Sequence, residues 1–292
     1  MFPSFEVSLL EVYATACGCC QSFTEACNRF PLRFVVGDMK LLVVAASLFA
    51  LSCGGSAESS PAPAGNGVVV LELFTSQGCS SCPPADALLS KLDADLMLTG
   101  RVIPLAFHVD YWNYIGWSDP FSSSEWSQRQ RLYSRALHVD VYTPQLVVGG
   151  TRAMVGSSER AVREAINAKL ADAPLARLQL IAMRTSDGTI TIDVKGLQST
   201  DQPLDVWIAV VEDGLVTRVA RGENQGRSLK NDNVVRALRL ATTLEPHGHG
   251  MGHVEIRPEA KWNLANLSFV AFAQNRATSR IEGAAATRMP VM

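Results

Sequence analysis

In this chain of 292 residues the clearest structural signal is the stretch VVVLELFTSQGCSSCPPADALLSKLDADLM (68–97). Its first part is a mainly apolar run that is typical of a buried β-strand. Its last part places leucines on one face of a helix, and Pro83 and Pro84 suit the first helical turn, where a missing N–H has no partner to lose. The stretch therefore predicts a strand that delivers Cys79 and Cys82 to the start of a helix.

The spacing of Cys79 and Cys82 predicts redox chemistry. Two cysteines on the first turn of a helix can close a small disulfide ring, and the helix N-terminus stabilises a thiolate there. The same spacing also serves zinc, but a zinc site usually needs further Cys or His ligands at matching spacing, and no second pair lies nearby in the sequence. A structural disulfide and a metal site are the alternatives to a redox-active disulfide.

The N-terminal sequence predicts export. From Met39 a lysine, an apolar run, small residues before Cys53 and a Gly/Ser/Pro/Ala tether follow one another, as in a signal peptide. The residues before Cys53 resemble a bacterial lipoprotein signal, in which this cysteine carries the lipid, and an ordinary secretory signal is the alternative. We therefore expect residues 1–38 to be a mispredicted extension, 39–53 a signal peptide and 54–66 a tether.

Export also accounts for the odd cysteine count. Of seven cysteines in the chain, four precede Met39 and one is Cys53, which leaves only Cys79 and Cys82 as thiols. The apolar run is shorter than the about 20 residues of a transmembrane helix, so we expect contact with the membrane through a lipid anchor only. The expected location is the cell envelope or periplasm, where disulfides persist. The net charge of −2 gives no general reason to bind nucleic acid.

A second strand is predicted at 101–110, which gives a strand, helix, strand order and a parallel pairing. Chemistry gathers at the carboxyl ends of such strands, so His108 is expected at the same edge as Cys79. There it could assist proton transfer, or its ring could be satisfied by local hydrogen bonds. The segment 111–140 is aromatic and then helical in its spacing, and it predicts a helical insertion over that edge.

The Cys pair and the Thr143-Pro144 step, which leads into a strand, turn, strand and helix, resemble the thioredoxin superfamily. The resemblance implies that Pro144 is cis and faces the disulfide, with Thr143 before it, where the backbone receives the substrate chain. It implies that Cys79 attacks a substrate disulfide and that Cys82 resolves the mixed disulfide. Glu72, which interrupts the first strand, is similar to the buried carboxylate that carries protons to the inner thiol in many thioredoxins; a structural role is the alternative.

The chain has a closer resemblance to the bacterial family called "domain of unknown function 1223". The motifs that carry it are ELFTSQGCSSCPPAD, FHVDYWNYIGWSDPF, RQRLY, YTPQLVVGG and RGENQGRSL. It covers roughly residues 67 to 290 and implies a thioredoxin-like domain with a β-rich tail. It implies no settled activity.

The stretch HGHGMGH (247–253) suggests a metal site. In an extended conformation His247, His249, Met251 and His253 project to the same side, and imidazole with thioether suits copper, with zinc or nickel as further candidates. A glycine-rich hairpin or loop without metal is the alternative.

The sequence as a whole predicts an α/β fold. Residues 67–172 are expected to form a thioredoxin-like domain with a helical insertion, and 173–292 a β-rich, sandwich-like region in which Asp187-Gly188 turns a hairpin and 221–233 is a charged connection. The predicted function is an exported thiol-disulfide oxidoreductase that needs no organic cofactor and acts on a protein or small-molecule thiol or disulfide. The alternative is a metal- or protein-binding envelope protein whose Cys pair is structural or metal-binding. The oligomeric state is left open.

Overall fold

A mixed sheet of eight strands forms the centre of the protein in a computed structural model that describes residues 67–95 and 100–289. The described residues belong to one compact unit, Ser60–Met292. The strands are β1 (Val69–Thr75), β2 (Val102–His108), β3 (Gln145–Val148), β4 (Arg152–Val155), β5 (Ala176–Arg184), β6 (Ile190–Gln198), β7 (Leu204–Glu212), β8 (Leu215–Arg218), β9 (Ser228–Asn231), β10 (Val234–Leu244), β11 (His249–Ile256), β12 (Leu267–Asn275) and β13 (Ile281–Arg288). The α-helices are α1 (Pro83–Ala94), α2 (Ser124–Leu137) and α3 (Glu159–Leu170), and short 3-10 helices span Asn113–Ile115 and Leu264–Asn266.

The expectations for the N-terminal sequence lie outside the described residues. These are the mispredicted extension at 1–38, the signal peptide at 39–53, the tether at 54–66 and lipidation of Cys53. They stay predictions.

The large sheet has the order β13-β12-β7-β10-β2-β1-β3-β4. β1 and β2 are parallel, as the order of strand, helix and strand predicts, and β3 and β4 continue the sheet antiparallel to their neighbours. The C-terminal strands join on the other side of β2, where Val234 of β10 lies opposite Ala106 and the amide of Ala106 donates to the carbonyl of Asn233 at 2.7 Å. Strands from both halves of the chain therefore form one sheet.

Three hydrophobic cores cover the faces of this sheet. α1 and α3 pack on one face of β1, against residues such as Leu71 and Leu73. α2 packs on the opposite face, in a core that joins Phe74 of β1 to Phe272 of β12. The three-stranded sheet β11-β6-β5 covers β7, β10 and β12 through a third core that includes Ile192. Residues of β1 alternate between two apolar faces, which is why this strand is buried along its whole length and apolar except for Glu72 and Thr75.

The predicted fold class is wrong. An α/β thioredoxin-like domain with a helical insertion, followed by a separate β-rich region, would keep the strands of 67–172 and 173–292 in different sheets. Instead the protein is β-rich, with 13 strands and three α-helices among its described residues, and one mixed sheet runs through both regions. The physical reason lies in β2, which is apolar and buried along its whole length and takes β10 as its second neighbour.

Several individual elements are confirmed. The helix predicted within 111–140 is α2, and Ser123 caps it by accepting a hydrogen bond from the amide of Glu125. The hairpin of β5 and β6 turns at Gly188, whose φ of 86° favours glycine. At the start of α3, in contrast, the side chain of Ser158 makes no capping hydrogen bond.

Candidate functional site

Cys79 and Cys82 form a disulfide at the junction between β1 and α1, with their Cα atoms 5.5 Å apart. The turn after β1 is closed by a hydrogen bond from the amide of Cys79 to the carbonyl of Ser76, and Cys82 directly precedes α1. The two cysteines are 1% and 0% exposed, whereas Ser80 and Ser81 between them are exposed. The sulfur atoms therefore lie just beneath a short surface loop.

Thr143, which lies just before β3, makes a polar contact with the disulfide. Its hydroxyl donates to Sγ of Cys79 at 3.3 Å and accepts a hydrogen bond from Nε1 of Trp112 at 2.8 Å. The Thr143–Pro144 peptide bond is cis. The hydroxyl of Ser81 lies 3.3 Å from the same sulfur. The structure thus brings together four of the predicted site residues, Cys79, Cys82, Thr143 and Pro144.

A segment from the C-terminal half holds the disulfide loop in place. Asn224, which is fully buried between β8 and β9, donates to the carbonyls of Gln77 and Cys79, both at 2.9 Å. The neighbouring Glu223 accepts a hydrogen bond from the amide of Ser80 at 2.9 Å, and hydrogen bonds from the side chain and the amide of Ser80 lower the pKa of the Glu223 carboxyl. The interpretation of 221–233 as a charged connection missed this contact, because nothing in its local pattern points to the cysteines.

His108 lies buried at the end of β2 with Asp119. Its Nδ1 is 2.7 Å from Oδ2 of Asp119, and the same carboxylate oxygen accepts from the amide of Gln77 at 2.8 Å. Asp119 therefore connects His108 to the loop that carries Cys79. The sequence pattern does not single out Asp119, because an Asp-Pro step in an aromatic segment is also an ordinary turn signal.

A third titratable side chain, Asp86, belongs to the same region. It lies one helical turn after Cys82, and burial raises the pKa of its carboxyl from 3.8 to about 6, against the opposing effects of His108 and Thr75. The pKa of His108 is raised: its burial alone would lower it, but the carboxylate of Asp119 outweighs that effect. For Asp119, burial alone would raise the pKa, but His108 and the amide of Gln77 hold it below its usual value.

Glu72 lies on the other side of the sheet from α1. Its carboxylate accepts from Nε of Arg129 at 2.6 Å and from the hydroxyl of Tyr133, both on α2. Arg129 also donates to Gln274 at 3.2 Å, and Gln274 donates to the Tyr133 hydroxyl at 2.7 Å. Because α1, which begins after Cys82, packs on the opposite face, the structure does not support a proton relay from Glu72 to the inner thiol.

The His/Met stretch lies on the outer face of β11, in the three-stranded sheet. His249, Met251 and His253 are exposed on that face, while His247 precedes the strand and pairs with Asp201 at 2.8 Å. His253 pairs with Asp193 of β6 at 2.8 Å, and hydrogen bonds to Asp193 and Glu255 raise its pKa. Side chains two residues apart on a strand are about 6.6 Å apart along it, so His249 and His253 lie about 13 Å from each other.

Metal binding by this stretch stays a prediction. Within 67–95 and 100–289, no group of three or more His, Cys, Asp or Glu side chains is placed to hold a metal ion. Over the same part of the chain, no helix has the length and apolar character needed to cross a membrane.

Comparison with known proteins identifies the family. The chain is similar to a crystal structure of a protein from Agrobacterium tumefaciens, with 27% identity and a TM-score of 0.60 over 78% of this chain and 96% of that one. It is also similar in fold to HBP35 of Porphyromonas gingivalis, with 15% identity and a TM-score of 0.58 over 78% of this chain and 77% of that one. None of the curated proteins matches. The family described as "Protein of unknown function (DUF1223)" matches residues 70–274, which confirms the resemblance seen in the sequence motifs: the chain belongs to this family.

Proposed function

We propose that the protein is an exported thiol-disulfide oxidoreductase that works through Cys79 and Cys82. The observation that carries the proposal is the disulfide at the start of α1, whose Cys79 sulfur accepts a hydrogen bond from Thr143. A hydrogen bond to the sulfur stabilises it as a thiolate once the disulfide opens. The N-terminus of α1 acts in the same direction.

The proposed reaction needs only a dithiol or disulfide substrate. A substrate thiolate attacks Sγ of Cys79, the bond between the two protein sulfurs breaks, and its electron pair passes to Sγ of Cys82, which takes up a proton. A second thiolate of the substrate then attacks the substrate sulfur that is bonded to Cys79, and Cys79 leaves as a thiolate. The substrate dithiol is oxidised to a disulfide and the protein disulfide is reduced to two thiols; the reverse sequence oxidises the protein.

Cys79 is the better candidate for the attacked sulfur. It is the cysteine that contacts Thr143 and Ser81, at 3.3 Å each, whereas Cys82 directly precedes α1 and is 0% exposed. Since Cys79 is only 1% exposed, substrate entry requires a local shift of the exposed Ser80-Ser81 loop. A small thiol needs a smaller shift of this loop than a folded protein does. The rates of disulfide exchange with small thiols and with protein thiols therefore indicate which is the natural substrate.

The test is exchange with a small dithiol, followed by trapping. Reduction of the wild-type disulfide by dithiothreitol should be much faster than reduction of an unstrained model disulfide. In Cys82→Ser, Cys79 should form a stable mixed disulfide with substrates in cells, and Cys79→Ser should form none. Ser80→Ala, a change in the exposed loop, serves as the matched control. Reduction no faster than that of the model disulfide, together with no trapped partner, would refute the proposal and leave the disulfide a structural role.

The cellular location is part of the same proposal. A lipid anchor on Cys53 and a start at Met39 predict a mature protein that begins at an acylated cysteine in the membrane fraction. Intact-mass analysis of that fraction measures the first residue of the mature protein and its acyl chains. A mass without acyl chains, released without detergent, contradicts the anchor and leaves the thiol chemistry untouched.

The alternative, a binding protein, makes a different prediction. The exposed row of His249, Met251 and His253 on β11 is the feature that favours it. Calorimetry with Cu(I) and Zn(II) should then show binding that is lost in His249→Ala and is independent of Cys79. Exchange activity that needs Cys79 and survives His249→Ala favours the oxidoreductase.

A further inference from the structure

Asp86 occupies the turn of α1 that follows Cys82. Its amide donates to the carbonyl of Cys82 at 3.1 Å, and in a helix side chains four residues apart share one face. Cys82 and Asp86 therefore lie on the same face of the start of α1.

The surroundings of Asp86 contain unpaired polar atoms. Asp86 is half-buried, yet its Oδ1 is shielded from solvent and has no hydrogen-bond partner among the described residues. The same holds for Nε2 of His108 at the end of β2, whereas the hydroxyl of Thr75 at the end of β1 faces the Asp86 carboxyl and lowers its pKa. Both neighbours are close enough to act on the Asp86 carboxyl. Buried polar atoms without partners are unusual in folded proteins, and a catalytic role is one of the explanations for them, beside strain or an ordered water.

We propose that Asp86 is the proton donor and acceptor for Cys82, and that His108, held by Asp119, stabilises the carboxylate that forms. The proposal rests on the thiol-disulfide exchange proposed above, and it names the source of the proton that Cys82 takes up. In this proposal Asp86 has the proton-transfer role that the resemblance to thioredoxins implies for Glu72.

The proton balance of the step is simple. When the disulfide is reduced, the electron pair of the broken bond goes to Sγ of Cys82, and the proton of the Asp86 carboxylic acid moves to that sulfur, which leaves a carboxylate. When the disulfide reforms, the carboxylate takes the proton back from the Cys82 thiol, and the resulting thiolate attacks Sγ of Cys79 in the mixed disulfide. The carboxyl regains or loses its proton to solvent between cycles.

The charged groups around Asp86 are consistent with this role. His108 faces it from β2 and Asp119 from the segment after β2, and these two form an ion pair with each other. Arg236 of β10 acts on His108 and lies 3.5 Å from Glu212 of β7. The pair of His108 with Asp119 and the pair of Arg236 with Glu212 are each neutral overall. The pKa of Asp86, raised to about 6 by burial, lies close to neutral pH, where a carboxyl group can both give and take a proton.

The experiment compares the pH dependence of disulfide reduction by dithiothreitol in wild type, Asp86→Asn and Asp93→Asn. Asp93 lies on the same helix, near its far end, so its variant is the matched control. The ratio of each rate to the wild-type rate removes the titration of dithiothreitol itself. We expect Asp86→Asn to slow reduction about tenfold or more below pH 6 and to approach wild type as pH rises above 6, because the acid has then lost its proton. Asp93→Asn should stay within about twofold of wild type at every pH.

A second measurement needs no substrate and detects a merely structural effect. In a Cys79→Ser background, the ultraviolet absorbance of the Cys82 thiolate is titrated with and without Asp86→Asn. Loss of the neighbouring carboxylate should let the thiolate form about one pH unit lower or more.

The outcomes separate the two proposals. A wild type that exchanges, with Asp86→Asn equal to it at every pH and an unchanged Cys82 titration, overturns the role of Asp86 and leaves the oxidoreductase proposal intact. A wild type that does not exchange refutes the oxidoreductase proposal, and with it the role of Asp86 in catalysis. In that case the titration shows only whether Asp86 and Cys82 interact.

Discussion

Replacement of Arg129 by methionine should destabilise the protein strongly without impairing the disulfide. Glu72 is 0% exposed, and Arg129 is its only cationic partner within 4.0 Å among the described residues. Arg129→Met leaves the buried carboxylate with the Tyr133 hydroxyl but without a cation, and it removes the donor to the Tyr133 hydroxyl and to Gln274. Removal of one member of a buried ion pair costs about 3–5 kcal/mol.

The magnitude converts into a measurable change in melting temperature. At this size one kcal/mol shifts the Tm by about 2–4 °C, so Arg129→Met should melt about 6–20 °C below wild type. Part of the loss should be recovered in Glu72→Gln/Arg129→Met, in which no buried charge remains. Thermal and urea unfolding of the oxidised proteins measure both effects. A loss below about 1 kcal/mol, or a double variant as unstable as the sum of the single variants, would refute the reasoning.

Three further predictions concern the disulfide and its support. Asp86→Asn should remove a pH dependence of the free energy of unfolding. Because the pKa of Asp86 is raised to about 6 in the folded state, the wild type should lose at most about 3 kcal/mol of stability as the pH rises from about 4 to 6. Unfolding of wild type and variant at several pH values measures the difference between them. A variant with the wild-type pH profile would contradict it. Asn224→Ala should cost about 1–3 kcal/mol in urea unfolding, because the carbonyls of Gln77 and Cys79 each lose the hydrogen bond from Asn224, whereas the exposed Glu223→Gln should cost less. Equal stability of Asn224→Ala and wild type would show that water replaces these bonds. Thr143→Val should raise the pKa of the Cys79 thiol in the reduced protein, because the thiolate loses a donor; alkylation by iodoacetamide against pH measures it, and an unshifted profile would contradict the assigned contact.

Local features of the site could be predicted from the sequence, because they depend on short-range patterns. The apolar run of β1, the prolines at the start of α1 and the spacing of the cysteines placed the disulfide correctly. Asp86 could have been found in the same way, since it follows Cys82 by one helical turn. Glu72 drew attention instead because a charge interrupts an apolar strand, and only the position of α2 explains that charge.

The arrangement of the sheet could not be predicted in this way. The pairing of Ala106 with Val234 joins strands that are far apart in the chain, and neither residue differs from an ordinary core residue. The contact of Asn224 with the carbonyl of Cys79 depends on that pairing, because the loop between β8 and β9 precedes β10. Without β10 beside β2, the sequence gives no reason to place 221–233 near the cysteines.

The core shared by Phe74 and Phe272 has a practical consequence for anyone who shortens the gene. A fragment that ends near residue 172 keeps both cysteines and all three α-helices but loses β7, β10 and β12, and with them the apolar side chains that pack beside Phe74 and Phe107. In this fragment the edge of β2 that pairs with β10 would be exposed to solvent, and an exposed apolar strand edge pairs with other chains and leads to aggregation. Expression of such a minimal fragment should give aggregates, whereas one that begins near residue 67 and retains β13 should remain soluble and oxidised. The Cys pair is therefore portable only together with the strands that follow it by more than a hundred residues.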